Sequence, residues 1–480
     1  MSVPSPTLAA RRLVVATVLL GTLAVSLNNT ALNPAMPAFM SVFGIDAVTA
    51  SWVITAFMIS MGMTMPLTGY LGNRHGKKRV YLAGLALFLA GSCLGALAPS
   101  MAWVIAARCI QGVAGGLMIP LSLALVFEVY PKEERGRVSG WWGMAVMLAP
   151  AAGPVAGGVL VQFSSWHALF AVNIPIGLVS WAIGWRWLPS PPVRAPRRFD
   201  WRGFALVTSG VGLLLATLGR LKDMAALSAP LNLTLIAAAL LCLALFVRVE
   251  LRQPEPLLNL RIFAEPSYSL SVAVASAQSV GMFGCVVLLP LLMHTVLGYG
   301  AMWTGLALFA TALFAGVFSS LGGRLLDRHG PRAGVAAGML CSALATMALG
   351  LAGAGGVSQA PLWLIVALMA ARGVGLGLSY IPVTTAGLNA IPEQLVTEGS
   401  AMNNILRRVT ASLAVVAVSI YYELRRAGLL AHGAAPVSAS GIALNELFVA
   451  IGLLLLVTLP LALCFPKPAP LDHQFHYQKG

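Results

Sequence analysis

Four arginines lie inside long apolar stretches of this sequence: Arg108, Arg372, Arg407 and Arg408. Placing an arginine at the centre of a membrane costs at least about 2.5 kcal/mol, so such residues are usually functional. A guanidinium offers several N–H donors to a carboxylate or another anion. Arg108 is the leading candidate to line a central cavity. For Arg372, a structural role that braces the helix is an equal alternative. Of Arg407 and Arg408, one is expected to face the cavity and the other a loop or the headgroups.

Carboxylates that could pair with these arginines are scarce. The chain has 15 Asp and Glu residues against 30 Lys and Arg. Only Glu128 and Glu446 are predicted to fall near a membrane region, and both are possible proton sites. The alternative for Glu128 is an ion pair with Lys132 one helical turn on, and the alternative for Glu446 is an interfacial or loop position.

The sequence offers no set of residues typical of an enzyme. It has no phosphate-binding loop, no HExxH, no histidine cluster and no carboxylate pair within the apolar stretches. The six cysteines lie in apolar stretches without a CxxC pair, which favours packing over zinc or disulfides. We predict no catalytic activity, no metal and no cofactor.

Composition indicates what must position these residues. The chain is 58% hydrophobic and 9% charged, with a mean hydropathy of +0.85. A water-soluble fold of 480 residues needs more polar surface than this. We therefore predict an integral membrane protein whose helices face lipid or one another.

A short basic phrase occurs twice. GYLGNRHGKKR begins at Gly69 and GRLLDRHGPR begins at Gly323, with Gly, Leu, Arg, His and Gly recurring at an offset of 254 residues. Each copy lies between two apolar stretches. The repeat predicts two similar halves, an architecture that transporters use to open a central site to alternate sides of a membrane.

Apolar stretches of roughly 20 residues are long enough to cross the bilayer as helices. Fourteen candidates follow, near residues 13–36, 49–71, 79–98, 101–127, 138–161, 167–187, 203–220, 230–248, 268–296, 303–323, 333–353, 361–386, 401–422 and 443–465. The repeat offset leaves room for a hairpin between two six-helix halves. The predicted fold is an all-α membrane protein with bundles at 1–187 and 268–466, a linker and extra hairpin at 188–267 and a cytoplasmic tail at 467–480.

The positive charges test this arrangement, because Lys and Arg in short loops remain on the cytoplasmic side. With the N-terminus inside, 22 of the 30 cations fall in cytoplasmic segments, while the outer loops hold Arg220, Lys222, Arg425 and Arg426. Both termini are therefore predicted to be cytoplasmic. The net charge of +15 reflects topology and contact with anionic lipid, and scattered short loops argue against nucleic-acid binding.

Several motifs, taken in order, resemble the fourteen-span drug:proton antiporters of the major facilitator superfamily, the EmrB and QacA type. The two basic phrases resemble its loop signatures, Arg108 with Gln111 and Gly112 resembles RxxQG, and PAAGPVAGG from Pro150 resembles the antiporter signature of the fifth span. WHALFAVNIPIG, FDWRG and PLLNLRIF, beginning at residues 166, 199 and 256, match the sixth span, the seventh span and the start of the second half. The resemblance covers nearly the whole chain.

The resemblance implies a major facilitator fold with two bundles related by a pseudo-twofold axis. It places Asn28, Asn33, Arg108, Gln111, Arg372 and Arg407 in a substrate or coupling cavity. It assigns conformational gating to the loop residues Gly69, Asn73, Arg74, Gly76, Lys77, Asp327 and Arg328, for which plain topological charge is the alternative. The fifth span is expected to pack closely at an interface and to bend, or to pack as an ordinary helix, through Pro150, Gly153, Pro154, Gly157 and Gly158.

The chain departs from that family where the chemistry is expected. The first span of the family has the pattern LDxTIVNVALP, whereas this chain has LNNTALNPAMP with Asn28 at the acidic position. Asn73 likewise replaces the usual aspartate of the first loop phrase, although the second copy keeps Asp327. Asparagine cannot exchange a proton, so the sequence does not indicate which residue would couple transport to protons.

The predicted function is alternating-access export of drugs or amphipathic small molecules, with proton-coupled antiport as the leading mechanism. The alternative is an uncoupled facilitator or exchanger for an anionic or zwitterionic metabolite that pairs with Arg108. The expected partners are a small-molecule substrate, the lipid bilayer and protons, and the expected state is a monomer in the cytoplasmic membrane.

Overall fold

The computed structural model describes residues 7–190, 199–219, 221, 224–354 and 360–466, and these residues form helices and connecting turns without a β-strand. Thirteen helices are long and apolar enough to cross a membrane, and a bent helix pair supplies a fourteenth span. The prediction of an all-α membrane protein is confirmed. Arg220, Lys222 and the predicted tail 467–480 lie outside the described residues.

The first bundle and the hairpin account for eight spans, numbered here in chain order. Spans 1 to 6 are Leu8–Ala31, Ala47–Thr64 with Leu67–His75, Lys77–Ala96, Met101–Val129, Arg135–Phe163 and Asn173–Trp187; spans 7 and 8 are Trp201–Leu218 and Pro230–Arg252. A turn at Asn33–Ala35 and a helix at Met36–Phe43 extend span 1. Shorter helical pieces connect the rest at Lys132–Glu134, Ala168–Ala171 and Met224–Ser228.

The second bundle supplies spans 9 to 14. They are Pro266–Leu291, Ala301–His329, Pro331–Ala354, Leu362–Ala390, Val396–Ala431 and Pro436–Leu463. A π-helical turn at Leu292–Val296 extends span 9, and short turns at Leu260–Ala264 and Glu393–Leu395 precede spans 9 and 13.

Span 13 is longer than predicted. The helix has 36 residues and contains Arg425 and Arg426, which the sequence analysis placed in a loop. Hydropathy marks only the apolar part of a helix, whereas backbone hydrogen bonding continues into the headgroup region. Because the helix begins at Val396, Arg407 and Arg408 lie about three turns from its start.

Span 2 is bent by 56° between its two helices. The second helix has Pro66 as its N-cap residue. Proline has no N–H and cannot continue the backbone ladder, which accounts for the break. The half of span 2 that follows the bend carries the first basic phrase.

Helix packing repeats between the halves. Span 1 contacts spans 5 and 6, span 2 contacts span 4, and span 3 contacts spans 4 and 6; the same relations hold for spans 9 to 14. The halves meet along two pseudo-symmetric seams: spans 5 and 10 form the 5/10 seam, and spans 2 and 13 form the 2/13 seam. Span 7 packs against both span 2 and span 13, so the hairpin covers the 2/13 seam.

Both basic phrases lie at one end of the bundle, here called the basic end. Each phrase occupies the last turns of a helix, and the reversal that follows uses Gly76 with φ +87° and Gly330 with φ +74°. Positive φ at both glycines explains why glycine recurs there, because other residues are strained in this conformation. The Asn73 amide and the Asp327 carboxylate, just before these reversals, face the other half.

Candidate functional site

A chain of neutral polar side chains surrounds Arg108 inside the first bundle. The Arg108 guanidinium donates to Gln111 Oε1 at 2.9 Å, and the Asn28 amide donates to the same oxygen at 2.9 Å. Asn173 of span 6 donates to Asn28 Oδ1 at 3.1 Å, and Gln111 donates to Ser92 Oγ at 3.0 Å. The chain thus ties spans 1, 3, 4 and 6 together.

Arg108 is fully buried and is compensated by neutral groups. Its Nε donates to the carbonyl oxygen of Val53 at 2.8 Å, and its guanidinium carbon lies 4.2 Å from the centre of the Phe57 ring. One terminal nitrogen has no hydrogen-bond partner. Asn28 therefore occupies the place of a carboxylate and serves as a link to Gln111. Asn33, in contrast, is exposed beyond the end of span 1 and is not part of this group.

Arg372 holds the matching place on span 12 with a simpler environment. Its guanidinium donates to the carbonyl oxygen of Gly281 at 2.6 Å, and its Nε has no partner. This hydrogen bond braces span 12 against span 9, just as the bond from Arg108 to Val53 braces span 4 against span 2. The described hydrogen bonds and ring contacts of Arg108 and Arg372 all lie within their own halves.

Arg408 does reach the opposite half. Its guanidinium contacts Met58 Sδ at 3.3 Å and Met61 Sδ at 3.0 Å, both on span 2. Thioether sulfur is a weak acceptor. Among the described residues, no carboxylate forms an ion pair with this arginine.

Arg407 lies beside it against the second half. Its guanidinium carbon is 3.9 Å from the centre of the Tyr380 ring on span 12, a cation–π contact, and its Nε has no partner. Neither arginine extends to a loop or to the headgroups, in contrast to the expectation for one member of the pair. Arg408 thus lies in the 2/13 seam against weak acceptors, and Arg407 lies against span 12 of its own half.

The second basic phrase closes the 5/10 seam at the basic end. Asp327 accepts hydrogen bonds from the backbone N–H groups of Gly136 and Arg137, each at 2.7 Å, at the start of span 5. A helix N-terminus favours a negative charge. Next to it, Arg135 forms an ion pair with Glu393 at 2.6 Å across the halves.

The first basic phrase makes the corresponding contact in the 2/13 seam. Here the phrase supplies the amide of Asn73, and the carboxylate comes from the opposite half. Asn73 donates to Glu398 Oε1 at 3.4 Å, and Glu398 lies in the first turn of span 13. The backbone N–H of Asn259 donates to the same carboxylate at 3.2 Å. Arg74 stacks on Tyr70, whereas Arg328 has no cross-half contact among those described. Apart from the Arg408 contacts, every described hydrogen bond or ion pair between the halves lies at the basic end.

Span 5 packs closely on its neighbours through two sets of glycines, of which the first lies in the predicted signature. Gly153 and Gly157 lie against Thr30, Ala31 and the backbone of span 1, and Thr30 donates to the carbonyl oxygen of Pro150 at 2.9 Å. Pro154 cannot satisfy that carbonyl because it has no N–H. This part of the signature joins spans 1 and 5 within one half, and Gly158 has open space around it.

The glycines that join the halves precede the signature. A Cβ at Gly140 would lie 2.6 Å from the Ser319 carbonyl oxygen of span 10, and a side chain at Gly136 or Gly143 would also collide with that helix. Their spacing of four and three residues is that of one helical face. That spacing is the signal in the sequence for this contact, and the predicted interface of span 5 did not include it.

The two possible proton sites are both ion-paired. Glu128 pairs with Lys77 at 2.6 Å, so the expected partner Lys132 was wrong. Glu446 pairs with Arg425 at 2.7 Å and accepts from Tyr421 at 2.8 Å. Each carboxylate has a nearby cation that stabilises its charged form.

Comparison with known proteins identifies the family to which this two-bundle helical fold belongs. A family model described as Major Facilitator Superfamily matches residues 18–415. The chain belongs to the major facilitator superfamily and is a transporter of small molecules across a membrane.

Several curated relatives carry names from drug resistance. The fatty acid resistance protein FarB of Neisseria gonorrhoeae is 30% identical over 84% of this chain and 78% of its own length. The multidrug export protein EmrB of Haemophilus influenzae is 29% identical over 84% and 78%, and the lincomycin resistance protein LmrB of Listeria monocytogenes is 27% identical over 82% and 83%. These relatives confirm the resemblance to the EmrB-type multidrug transporters.

Solved structures share the fold. The human organic anion transporter MFSD10 superimposes with a TM-score of 0.62 at 18% identity, covering 93% of this chain and 99% of that one. The proton:xylose symporter XylE gives 0.62 at 16% identity, with 96% of each chain covered.

Proposed function

We propose that this protein is an alternating-access exporter of amphipathic small molecules that carry a negative charge, driven by proton antiport. The relatives named for drug export and fatty acid resistance support the export of lipophilic compounds. The observation that carries the charge preference is Arg408, a half-buried cation between the halves. Its described hydrogen-bond partners are two thioether sulfurs. A bound anion supplies the acceptors that Arg408 and Arg407 lack.

The geometry favours the pair on span 13 over Arg108 as the anion partner. Arg108 is fully buried and donates to Gln111 and Val53 within its own bundle. Its replacement is therefore expected to weaken folding of the first half before it changes substrate choice. The methionines beside Arg408 offer flexible apolar surface for a lipophilic tail.

The basic end is proposed to be cytoplasmic, following the distribution of Lys and Arg. The gates at Asp327 and Glu398 then close the cytoplasmic side, which makes this the outward-facing conformation. Fluorescent or enzymatic reporters fused to the two termini should both report the cytoplasm. Reporters on opposite sides of the membrane would contradict this orientation.

Transport in proteoliposomes tests the substrate class. Dodecanoate and dodecyltrimethylammonium carry the same alkyl chain with opposite charge, and we expect the wild type to move dodecanoate faster. Arg408→Gln should slow dodecanoate transport at least about tenfold, the equivalent of one charge-assisted hydrogen bond, while Arg408→Lys keeps part of the activity. Arg425→Gln on the same helix is the matched control, because its ion pair is exposed. Faster transport of the cation, unaffected by Arg408→Gln, would rule out the anion preference.

Uncoupled exchange is the second candidate, favoured by the Asn28–Gln111 hydrogen bond in place of a titratable pair. The same vesicles with an imposed pH gradient separate the two mechanisms. Acceleration by a gradient that is acidic on the outer side supports antiport, and equal rates with and without it support exchange.

A further inference from the structure

Two carboxylates are buried at the base of the inserted hairpin. Asp200 is the N-cap residue of span 7, and Glu250 lies in the last turn of span 8. Their exposed fractions are 9% and 2%. Neither was singled out from the sequence, because each stands near the end of a span beside several arginines.

The two side chains approach each other around Gly203. Asp200 Oδ1 accepts the Gly203 N–H at 2.9 Å, while Asp200 Oδ2 and both oxygens of Glu250 have no hydrogen-bond partner. A methyl carbon added at Gly203 would collide with Asp200 Oδ2 and with Glu250 Oε1. The two oxygens therefore lie within about 5 Å of each other, the range in which carboxylates affect one another's protonation.

Among the residues that the structure describes, no cation pairs with either carboxylate. Val207, Phe246, Leu257 and Leu258 on the same elements belong to the buried apolar core, and the backbone amides of Leu257 and Leu258 approach Glu250. The arginines of the adjoining elements are exposed, namely Arg202, Arg248, Arg252 and Arg261, and none of those described pairs with either carboxylate. Glu255 is also exposed, and Glu398 adds a further negative charge in the vicinity.

Two ionised carboxylates this close, buried and without a cation, repel strongly and lose their hydration. A single bound proton removes one charge and supplies an O–H donor to the other group. We propose that Asp200 and Glu250 form a proton-binding site and that this site carries the coupling proton. The coupling role rests on the proposed antiport function.

The site is connected to the gate of the 2/13 seam. Phe199, which precedes Asp200, packs on the Tyr70 ring with the centroids 4.8 Å apart. Asn259, which follows the apolar turn beside Glu250, donates to Glu398. Loss of the proton would force the two carboxylates apart and so draw the base of the hairpin away from span 2 and span 13. Proton occupancy thereby favours the closed basic end.

Infrared difference spectroscopy of the purified full-length protein tests the bound proton without any transport. We expect a protonated-carboxyl band at neutral pH that Glu250→Gln and Asp200→Asn each remove, and that Glu133→Gln, an exposed acid at the same end, leaves in place. Both amides keep the shape of the acid, and an unchanged elution profile in detergent shows that they fold. A band that persists in both variants, or that appears only on removal of Na⁺, overturns the proposal.

Proteoliposomes with an imposed pH gradient test the coupling role. Glu250→Gln should abolish the acceleration of dodecanoate export by the gradient, whereas Glu133→Gln keeps it. Acceleration that survives Glu250→Gln overturns the coupling role. If no variant, wild type included, moves dodecanoate, the proposed function fails while the infrared result still decides on the proton.

Discussion

The 5/10 seam and the 2/13 seam are pseudo-symmetric counterparts built from different chemistry. In the 5/10 seam, glycines such as Gly140 bring two backbones together, and Asp327 accepts from the first turn of span 5. In the 2/13 seam, side chains span the gap, with Arg408 on methionine sulfurs and Asn73 on Glu398. The repeated fold fixes the paths of the helices but not their contacts. The seam with adaptable side chains is the one suited to binding varied substrates, and the glycine seam is suited to closing in one fixed geometry.

Of the changes that test this contrast, Gly140→Ala is expected to have the largest effect on the population of the closed state. The new methyl group would lie 2.6 Å from a backbone oxygen of Ser319, which cannot move aside as a side chain could. Overpacking costs about 1 to 3 kcal/mol, so the closed population should fall about tenfold or more. Spin labels at positions 75 and 329 in a cysteine-free background measure the opening. Gly158→Ala, in open space on the same helix, serves as the control, and an unchanged distance in Gly140→Ala would contradict the role of this seam.

Asp327→Asn should have the next largest effect. Asp327 accepts one N–H on each of its two oxygens, whereas asparagine has one acceptor oxygen and an NH2 donor. Asparagine can therefore keep only one of the two hydrogen bonds, and it lacks the charge that the helix N-terminus favours. We expect the closed state to lose about 1 kcal/mol, or roughly fivefold in population, by the same distance measurement. Asp46→Asn, at the exposed start of span 2, should leave the distance distribution unchanged. A similar loss in that control would point to a general charge effect.

Asn73→Asp tests whether the 2/13 seam can adopt the chemistry of its counterpart. The new carboxylate would face Glu398, which stands 3.4 Å from the Asn73 amide, and like charges repel. Glu398 is buried, but position 73 is half-buried, so solvent partly screens the new charge. We expect opening of about threefold at neutral pH, the equivalent of up to about 1 kcal/mol of repulsion. Glu398→Gln in the same chain should restore closure, and additive effects of the two changes would exclude direct coupling.

Replacing Met58 and Met61 together by leucine should have the smallest effect. The volumes are similar, so packing changes little, and sulfur is a weak acceptor whose loss costs little. Dodecanoate transport is expected to change by at most about twofold and the melting temperature by about 2 °C. A tenfold loss of transport would mean that the sulfurs themselves hold Arg408 in place.

The span count, the two reversals and the basic end could be predicted because each depends on local features. Roughly 20 apolar residues make a span, Gly76 and Gly330 permit a positive φ, and loop cations choose a side. Gly153 and Gly157 were likewise predicted to pack closely. The partner was different, since they contact span 1 and leave the contact between halves to Gly136, Gly140 and Gly143.

The partners of the charged residues could not be predicted. Arg408 and Met61 are 347 residues apart, and Asn73 and Glu398 are 325 apart. Helices that are apolar on every side give no periodic signal to show which face meets which neighbour. Asp200 and Glu250 were overlooked because each stands near the end of a span beside several arginines, and no local feature of the sequence shows that they meet around Gly203.

The hydrogen bond from Thr30 to Pro150 sets an order of events during biosynthesis. The Pro150 carbonyl has no helical donor, and an unsatisfied carbonyl in lipid costs several kcal/mol. Its donor lies 120 residues earlier in the chain, so this carbonyl is satisfied only after span 5 has been made and has packed on span 1. Ribosomes that stop between these two points should release chains with an incomplete first bundle, which quality-control proteases can recognise.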